Sequence, residues 1–199
     1  MCGNGGRCVA RYAFEHRITS ENLTFETIVG KITAQVNGES VKVKLTKPQD
    51  FRRDLDVSFG DRRVKVDFLN TGVPHTIIYS NNLDSEDLPN VGSSIRNHSI
   101  FAPAGTNVNF VKIVDRHTIK IRTYERGIEG ETLACGTGAV ASAILANKKG
   151  LVDPPVGVQI ASGETLKVYF DTASTNGSVE DVFLEGSAVT TFEGTIDDS

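Results

Sequence analysis

The sequence predicts a mixed α+β fold in which strands dominate, organised as two pseudo-symmetric halves that each curl a sheet around a central helix. Two observations lead to this prediction. Apart from a few helical segments, the chain shows short stretches where β-branched and apolar residues alternate with polar ones between Gly, Asn, Asp and Pro. A glycine-rich segment followed by an apolar helix of small residues occurs twice, beginning at Cys2 and at Cys135.

Composition and charge exclude two classes of protein, membrane proteins and nucleic-acid binders. The chain is 39% apolar with a formal net charge of −4, which is typical of a globular protein with a substantial core. No stretch approaches the roughly 18 apolar residues of a membrane-spanning helix, which argues against a bilayer protein. The longest basic cluster is Lys148-Lys149, too short for the basic stripe of a nucleic-acid binder. We therefore expect a small-molecule substrate or a protein partner, and neither nucleic acid nor membrane.

Cysteine usage indicates the compartment. The three cysteines, Cys2, Cys8 and Cys135, are odd in number and irregularly spaced, unlike the framework of a disulfide-rich secreted protein. Residues 1–7 lack the apolar stretch of a signal peptide. These observations predict a reducing environment and a cytoplasmic location.

The strands are predicted from their alternation. Apolar residues alternate over 32–36 and again over 41–45, on either side of Asn37-Gly38, which predicts a hairpin with a tight turn. Pro48 ends this hairpin. Further strands are predicted over 63–68, 76–79, 107–114, 118–124, 166–170, 181–184 and 188–192.

Three segments are predicted to be helical. Residues 9–15 and 139–149 each follow a glycine-rich stretch, and residues 90–97 form a shorter candidate. Gly150 and then Pro154-Pro155 end the second of these helices. The polar stretch 172–178 is predicted to be a loop.

The repeat also predicts chemistry. Residues 2–6 (CGNGG) match residues 135–139 (CGTGA), so each copy places one cysteine where a helix begins. A helix N-terminus carries partial positive charge and unpaired N–H donors, which stabilise a thiolate and bind a carboxylate. Two such ends facing each other allow one thiolate to remove a proton from carbon while the other thiol protonates the opposite face. This is the chemistry of a racemase or epimerase. No dinucleotide motif or Schiff-base lysine stands out, so the chemistry requires no cofactor.

The three cysteines also allow a packing role or a metal site. A lone cysteine usually packs as a small hydrophobe, and the duplication is what favours function for Cys2 and Cys135. Cys8 has no counterpart in the second copy and is expected in the core. A zinc site made of the three cysteines and a histidine is the weaker alternative, because Cys-x5-Cys is not a standard ligand spacing.

Five segments resemble the diaminopimelate epimerase family: residues 1–8 (MCGNGGRC), 71–75 (TGVPH), 105–111 (GTNVNFV), 124–138 (YERGIEGETLACGTG) and 188–196 (AVTTFEGTI). They span nearly the whole chain. The resemblance implies interconversion of the L,L and meso forms of 2,6-diaminopimelate without pyridoxal phosphate or metal, on the route to lysine and peptidoglycan.

The resemblance also implies residue roles. Cys2 and Cys135 would be the acid and base. The backbone donors to the reacting carboxylate would be Gly3, Asn4, Gly136 and Thr137. The α-ammonium would be held by Glu125 and His75. The distal carboxylate would be bound by Arg126 and Asn107. Without the resemblance, His75 could simply end a strand, Glu125-Arg126 could be a solvated pair, and Asn107 could be a turn residue. Val73 stands where the family commonly has asparagine.

The repeat predicts the domain organisation. Residues 59–187 are expected to form a complete C-terminal half, and residues 1–58, with 188–199 returning to them, the remainder of an N-terminal half. About seventy strand-rich residues precede Cys135 in its half, whereas Met1 alone precedes Cys2, so the first half is expected to be incomplete. Its helix should have one open side, a surface for association that could include a homodimer.

Two alternatives to diaminopimelate epimerisation remain open from the sequence. One is another two-thiol racemase, of the proline or hydroxyproline type. The other is a non-catalytic fragment that acts only by association, since an incomplete half predicts weak or no turnover by this chain alone.

Overall fold

The computed structural model describes residues 2–28, 30–172 and 179–195. Its α-helices are α1 (Gly3–Glu15), α2 (Leu88–Arg96) and α3 (Gly136–Lys148). Its strands are β1 (Asn22–Thr27), β2 (Gly30–Asn37), β3 (Ser40–Lys44), β4 (Gln49–Phe59), β5 (Arg62–Asn70), β6 (Pro74–Tyr79), β7 (Asn107–Asp115), β8 (Thr118–Glu125), β9 (Gly130–Thr132), β10 (Val156–Gln159), β11 (Thr165–Asp171) and β12 (Glu180–Ser187). The predicted mixed, strand-dominated fold is confirmed.

The described strands form one continuous sheet. Its order is β1-β2-β3-β12-β11-β10-β8-β7-β6-β5-β4, and the short β9 pairs with β8. The pairs β6–β7 and β8–β10 are parallel, and the other pairs are antiparallel. At the β3–β12 pair, Val43 lies opposite Leu184, and both side chains are fully buried. This pair joins the strands that follow α1 to the strands that surround α3.

Helix α3 lies in the main core. Its residues from Gly138 to Ala146 are buried on every side, because the segment is apolar all round and rich in alanine. The helix packs against β5, β6, β7, β8, β10 and β11. Alanine side chains let the surrounding strands approach the helix closely, so α3 fills the space that these strands enclose.

Helix α1 is covered on one side only. It packs against β2, β3 and β12, and it buries Gly3, Gly6, Arg7 and Ala10. On its other side, Val9, Tyr12 and Phe14 are exposed. The expectation that this helix has an open side is therefore confirmed.

Several predicted elements are confirmed, and the helices start earlier than expected. The hairpin around Asn37-Gly38 forms as β2 and β3, with Val36 opposite Val41. Helix α1 begins at Gly3 and α3 at Gly136, so both glycine-rich stretches are the first helical turns. Low helix propensity of glycine predicts loops there, whereas packing against the sheet outweighs this cost of about 1 kcal/mol per residue.

Other expectations differ from the structure. Strands β1, β4, β9 and β10 were not predicted, because β1 and β4 are rich in polar residues and β9 and β10 are very short. The strand expected over 188–192 is wrong: this segment is irregular, although the Ala188 N–H donates to the Glu39 carbonyl and the Thr190 hydroxyl to Glu15. Cys8 was expected in the core. It is exposed, because it lies on the uncovered side of α1.

Two expectations are not decided by these elements. Most of the loop predicted over 172–178 lies outside the described residues. The division into residues 1–58 with 188–199, and residues 59–187, stays a prediction. In the parts of the chain that the structure describes, no helix is long and apolar enough to cross a membrane.

Candidate active site

The two repeated cysteines lie at the starts of α1 and α3. Cys2 and Cys135 both have extended backbone conformations and occupy the N-cap positions of these helices. Both line one cavity of about 320 Å³. The other residues that line it are Gly3, Asn4, Val73, Glu125, Ala134, Gly136 and Thr137. The structure therefore brings the two thiols of the repeat to a shared space.

Leu184 explains why a glycine follows each cysteine. A Cβ atom at Gly3 would lie 2.9 Å from Leu184 Cδ2, and one at Gly136 would lie 2.8 Å from the same atom. A Cβ atom at Gly136 would also lie 3.6 Å from Asn4 Oδ1. Both helix N-termini thus approach a single buried leucine of β12, and a side chain at either position would require this leucine to shift.

The first turns of the helices present backbone donors at this cavity. Gly3, Asn4, Gly136 and Thr137 occupy the first two positions of α1 and α3, where N–H groups have no partner within the helix. Their dipoles also place partial positive charge at both ends. A carboxylate in the cavity could accept hydrogen bonds from these groups without any cationic side chain.

The two thiols have different surroundings. Cys2 is exposed, and its Sγ accepts a hydrogen bond from the Gly5 N–H at 3.4 Å. Cys135 is 7% exposed. Burial first, and then the nearby Glu125 carboxylate, raise the pKa of Cys135 to about 11, while the hydroxyl of Thr137 acts in the opposite direction. Cys135 is therefore a protonated thiol near neutral pH.

His75 lies behind the cavity rather than in its wall. Its side chain is fully buried, and its Nε2 is 3.0 Å from Thr137 Oγ1. The Thr137 hydroxyl is in turn 3.7 Å from Cys135 Sγ. Burial, followed by the positive charge of Arg126, lowers the pKa of His75 to about 3, so the imidazole is neutral. In this arrangement His75 reaches the thiol through Thr137.

Asn107 and Arg126 also stand outside the cavity wall. The Asn107 side-chain amide donates to the Pro74 carbonyl at 3.1 Å and accepts from the Arg126 N–H at 2.8 Å. The Arg126 guanidinium donates to the Ala104 carbonyl at 2.8 Å. Asn107 thus fixes the backbone at Arg126, and the side chain of Arg126 lies across a neighbouring loop.

Glu125 is the carboxylate in the cavity wall. It is the last residue of β8, and its Oε2 accepts a hydrogen bond from Thr132 Oγ1 at 2.9 Å. This bond, between β8 and β9, holds the carboxylate beside Cys135. The position allows a negative group to face a substrate ammonium.

Sequence reasoning missed several residues that build the site. Ala134 lines the cavity, and Leu184 lies close to both helix ends. The Thr71 hydroxyl donates to the Thr137 carbonyl at 3.2 Å. Thr71 lies in a segment that carried the family resemblance, whereas an apolar residue such as Leu184 gives no local signal.

The described residues offer no metal site, and a larger cavity lacks the chemistry of the cysteine cavity. Among the described residues, no three His, Cys, Asp or Glu side chains are grouped so that they could hold a metal ion, so the zinc alternative has no ligand set there. A larger groove of about 460 Å³ runs along β1 and β2. Its described lining contains no cysteine, histidine or carboxylate, so chemistry rather than volume distinguishes the cysteine cavity.

Comparisons with known proteins agree with this geometry. The family model described as diaminopimelate epimerase matches residues 68–187. The diaminopimelate epimerase of Aquifex aeolicus is 46% identical over 197 residues, covering 98% of this chain and 68% of the relative. The enzyme of the same name from Hydrogenobaculum is 44% identical, covering 98% of this chain and 69% of the relative.

Solved structures show the same fold. A probable proline racemase from Agrobacterium radiobacter superposes with a TM-score of 0.75 at 17% identity, covering 99% of this chain and 68% of that one. At this identity the likeness concerns the fold alone, whereas the sequence relatives decide the family. The chain belongs to the diaminopimelate epimerase family, a family of isomerases.

Proposed function

We propose that the chain carries the machinery for cofactor-independent epimerisation of L,L-2,6-diaminopimelate to the meso form, by proton transfer between two cysteines. The observation that carries the proposal is the shared cavity, in which Cys2 and Cys135 each stand at a helix N-terminus. Relatives with that activity in their names, at 44–46% identity, support the choice of substrate. The reaction would supply a precursor of lysine and peptidoglycan.

The proton transfers balance without any further reactant. A thiolate takes the proton from the α-carbon, so that a C–H bond breaks and an S–H bond forms. The second thiol gives its proton to the opposite face of the same carbon, which breaks its S–H bond and forms the new C–H bond. The thiolate and the thiol have then exchanged places, and the reverse reaction uses them in the opposite roles.

The environments of the two cysteines favour one resting state. Burial and Glu125 raise the pKa of Cys135 to about 11, so this residue carries its proton and serves as the acid. Cys2 then supplies the thiolate that acts as base. This residue is exposed, and its Sγ accepts an N–H hydrogen bond from Gly5 in the first turn of α1.

Charge complementarity supports an amino-acid substrate. The N–H groups of Gly3, Asn4, Gly136 and Thr137 would hold the carboxylate at the reacting centre and stabilise negative charge as the proton leaves. Glu125 would face the α-ammonium. His75 would contribute through Thr137.

The distal end of diaminopimelate would be recognised by residues outside the cavity wall. Arg126 would bind the distal carboxylate with its guanidinium, once the side chain exchanges the Ala104 carbonyl for substrate. Asn107 would keep the backbone at Arg126 in place. A substrate without a second carboxylate, such as proline, would leave this part of the site unused.

The test is exchange of the α-proton in D2O, followed by NMR or mass spectrometry on L,L- and meso-diaminopimelate. We expect weak but measurable exchange by the original chain, and losses of about 100-fold or more for Cys2→Ala and Cys135→Ala. Cys8→Ala is the matched control, because Cys8 is also an exposed thiol on α1 and lies outside the cavity lining. Exchange that survives both cavity variants would exclude the two-thiol mechanism.

The same assay separates the alternatives. Exchange of proline or hydroxyproline in preference to diaminopimelate would favour the other two-thiol racemases. The absence of exchange on every substrate would favour a chain that acts only by association.

A further inference from the structure

A chain of buried hydrogen bonds leads from the strands to the Cys135 thiol. Cys135 Sγ is 3.7 Å from Thr137 Oγ1, which is 3.0 Å from His75 Nε2. The other ring nitrogen, Nδ1, is 3.1 Å from the side-chain nitrogen of Asn109. Behind Asn109, the Thr123 hydroxyl lies 2.9 Å from Asn109 Oδ1. His75 and Asn109 are fully buried and Thr123 is 2% exposed, so side chains rather than bulk water satisfy these groups.

The orientation of Asn109 follows from a backbone carbonyl. The Asn109 side-chain nitrogen is 3.2 Å from the Thr76 carbonyl oxygen, which can only accept a hydrogen bond. The end of the amide that faces Thr76 must therefore be the NH2 group. The same nitrogen faces His75 Nδ1, so Nδ1 has to be an acceptor without a proton.

The donor and the acceptor of each hydrogen bond between Asn109 and Cys135 are then determined. A neutral imidazole with an unprotonated Nδ1 carries its proton on Nε2, and this N–H donates to Thr137 Oγ1. The single hydroxyl proton of Thr137 is left to donate to Cys135 Sγ. We propose that Asn109 is a positioning residue that sets the tautomer of His75 and thereby directs the Thr137 hydroxyl toward the sulfur of Cys135.

The proposal deepens the proposed function, on which its catalytic consequence rests. When Cys135 has given up its proton, the Thr137 hydroxyl donates to the thiolate that remains. With the opposite tautomer, Nε2 would accept a hydrogen bond from the Thr137 hydroxyl, and the sulfur would lose this donor. The charged groups near these hydrogen-bonded residues are Glu125, which acts on Cys135, and Arg126, which acts on His75.

Helix α3 is shaped to accept Asn109. A Cβ atom at Gly138 would lie 2.3 Å from Asn109 Oδ1. Only glycine lets the amide of β7 approach the first turn of α3 so closely. The second glycine of the CGTG motif thus has a role distinct from that of Gly136, which makes room for Leu184.

The first test measures the tautomer directly in the original chain. Long-range 1H–15N NMR correlation distinguishes protonated from unprotonated ring nitrogens, and the His75 signals are those that disappear in His75→Gln. We expect a proton on Nε2 and none on Nδ1 near neutral pH. A proton on Nδ1, or on both nitrogens, would overturn the proposal. This measurement needs no substrate, so it stands apart from the outcome of the exchange assay.

The second test inverts the polarity at Asn109. Asn109→Asp has nearly the same shape but offers an acceptor to His75, so the ring proton should move to Nδ1 and leave Nε2 bare. With the donor to sulfur lost, kcat should fall about 10- to 100-fold while KM changes little, because the cavity lining is intact. A His75 tautomer that stays unchanged in this variant would refute the role of Asn109.

Thr123→Val is the matched control. It removes a buried hydrogen bond from the same amide, but the Thr76 carbonyl still orients Asn109. We expect a lower free energy of unfolding and an unchanged His75 tautomer. A changed tautomer in this variant would show that Thr123, rather than Asn109 held by Thr76, determines the tautomer. If Asn109→Asp does not fold, the spectrum of the original chain still decides the proposal.

Discussion

At the scale of single residues, the two repeated cysteines are alike in sequence and unlike in the folded chain. Each precedes a glycine and caps a helix, yet Cys2 is exposed whereas Cys135 is 7% exposed beside Glu125. The difference arises because α1 has an open side and α3 is enclosed. Local sequence therefore predicts the pair, and burial raises the pKa of Cys135.

Alkylation should distinguish the two thiols. The reactive species is the thiolate, and the pKa of Cys135 is raised to about 11, so iodoacetamide should modify Cys135 on the order of 100-fold more slowly than the exposed cysteines. Peptide mass spectrometry over time gives the rates. In Cys8→Ala, activity should fall in step with Cys2 modification; activity that outlasts complete Cys2 labelling would contradict its role as base.

His75 should make the fold sensitive to acid. Its pKa is about 3 in the folded chain against an ordinary value of 6.5, so between these values the unfolded chain binds a proton that the folded chain does not. The free energy of unfolding should therefore decrease as the pH falls from 6.5 toward 3, by at most about 1.4 kcal/mol per pH unit from this group.

The variant His75→Gln should lose this part of the pH dependence. Urea unfolding between pH 7 and pH 4 measures it, and His16→Gln, at an exposed histidine, provides the control. An equal acid slope in the original chain and in His75→Gln would show that other groups cause it.

At the scale of elements, α1 and α3 share a motif but differ in their packing. Helix α3 is apolar on all sides and contacts six strands, whereas α1 contacts three and exposes Val9, Tyr12 and Phe14. Small side chains in α3 reflect the narrow space between the strands. The same substitution should therefore have different effects in the two helices.

Overpacking should destabilise α3 specifically. Ala141 is fully buried, and Ala141→Leu inserts three carbons into a filled core, so we expect a loss of about 1–3 kcal/mol in the free energy of unfolding. Val9→Leu, on the exposed side of α1, should change it by less than about 0.5 kcal/mol. Denaturant unfolding compares the variants, and a tolerated leucine at position 141 would show unfilled space around α3.

At the scale of the whole molecule, β12 connects the two helix ends. It lies between β3 and β11 in the sheet, and its Leu184 meets both Gly3 and Gly136. One buried side chain therefore packs close to both helix ends. The pairing of β3 with β12 joins residues that are about 140 positions apart in the chain, beyond the reach of any local pattern.

Leu184→Ala should affect both stability and chemistry. Removal of this buried side chain should cost about 2–5 kcal/mol of unfolding free energy and loosen the two helix ends. The rate of α-proton exchange should fall as well. Val182→Ala, at a buried position two residues earlier on β12, should lower stability while leaving most of the exchange rate. Equal losses of exchange in the two variants would remove the special role of Leu184.

The sequence by itself determined the strand-dominated fold class, the hairpin around Asn37-Gly38, the paired helix-opening cysteines and the family. These features are local patterns of alternation, turn residues and glycine-rich motifs, which hydrophobic burial and backbone sterics impose wherever they occur. The tertiary structure alone decided that Cys135 is buried while Cys2 is exposed, that His75 lies behind Thr137, and that Leu184 lies against both helix ends. Burial, hydrogen-bond direction and spacing depend on residues brought together from distant strands, and no single stretch of the chain encodes them.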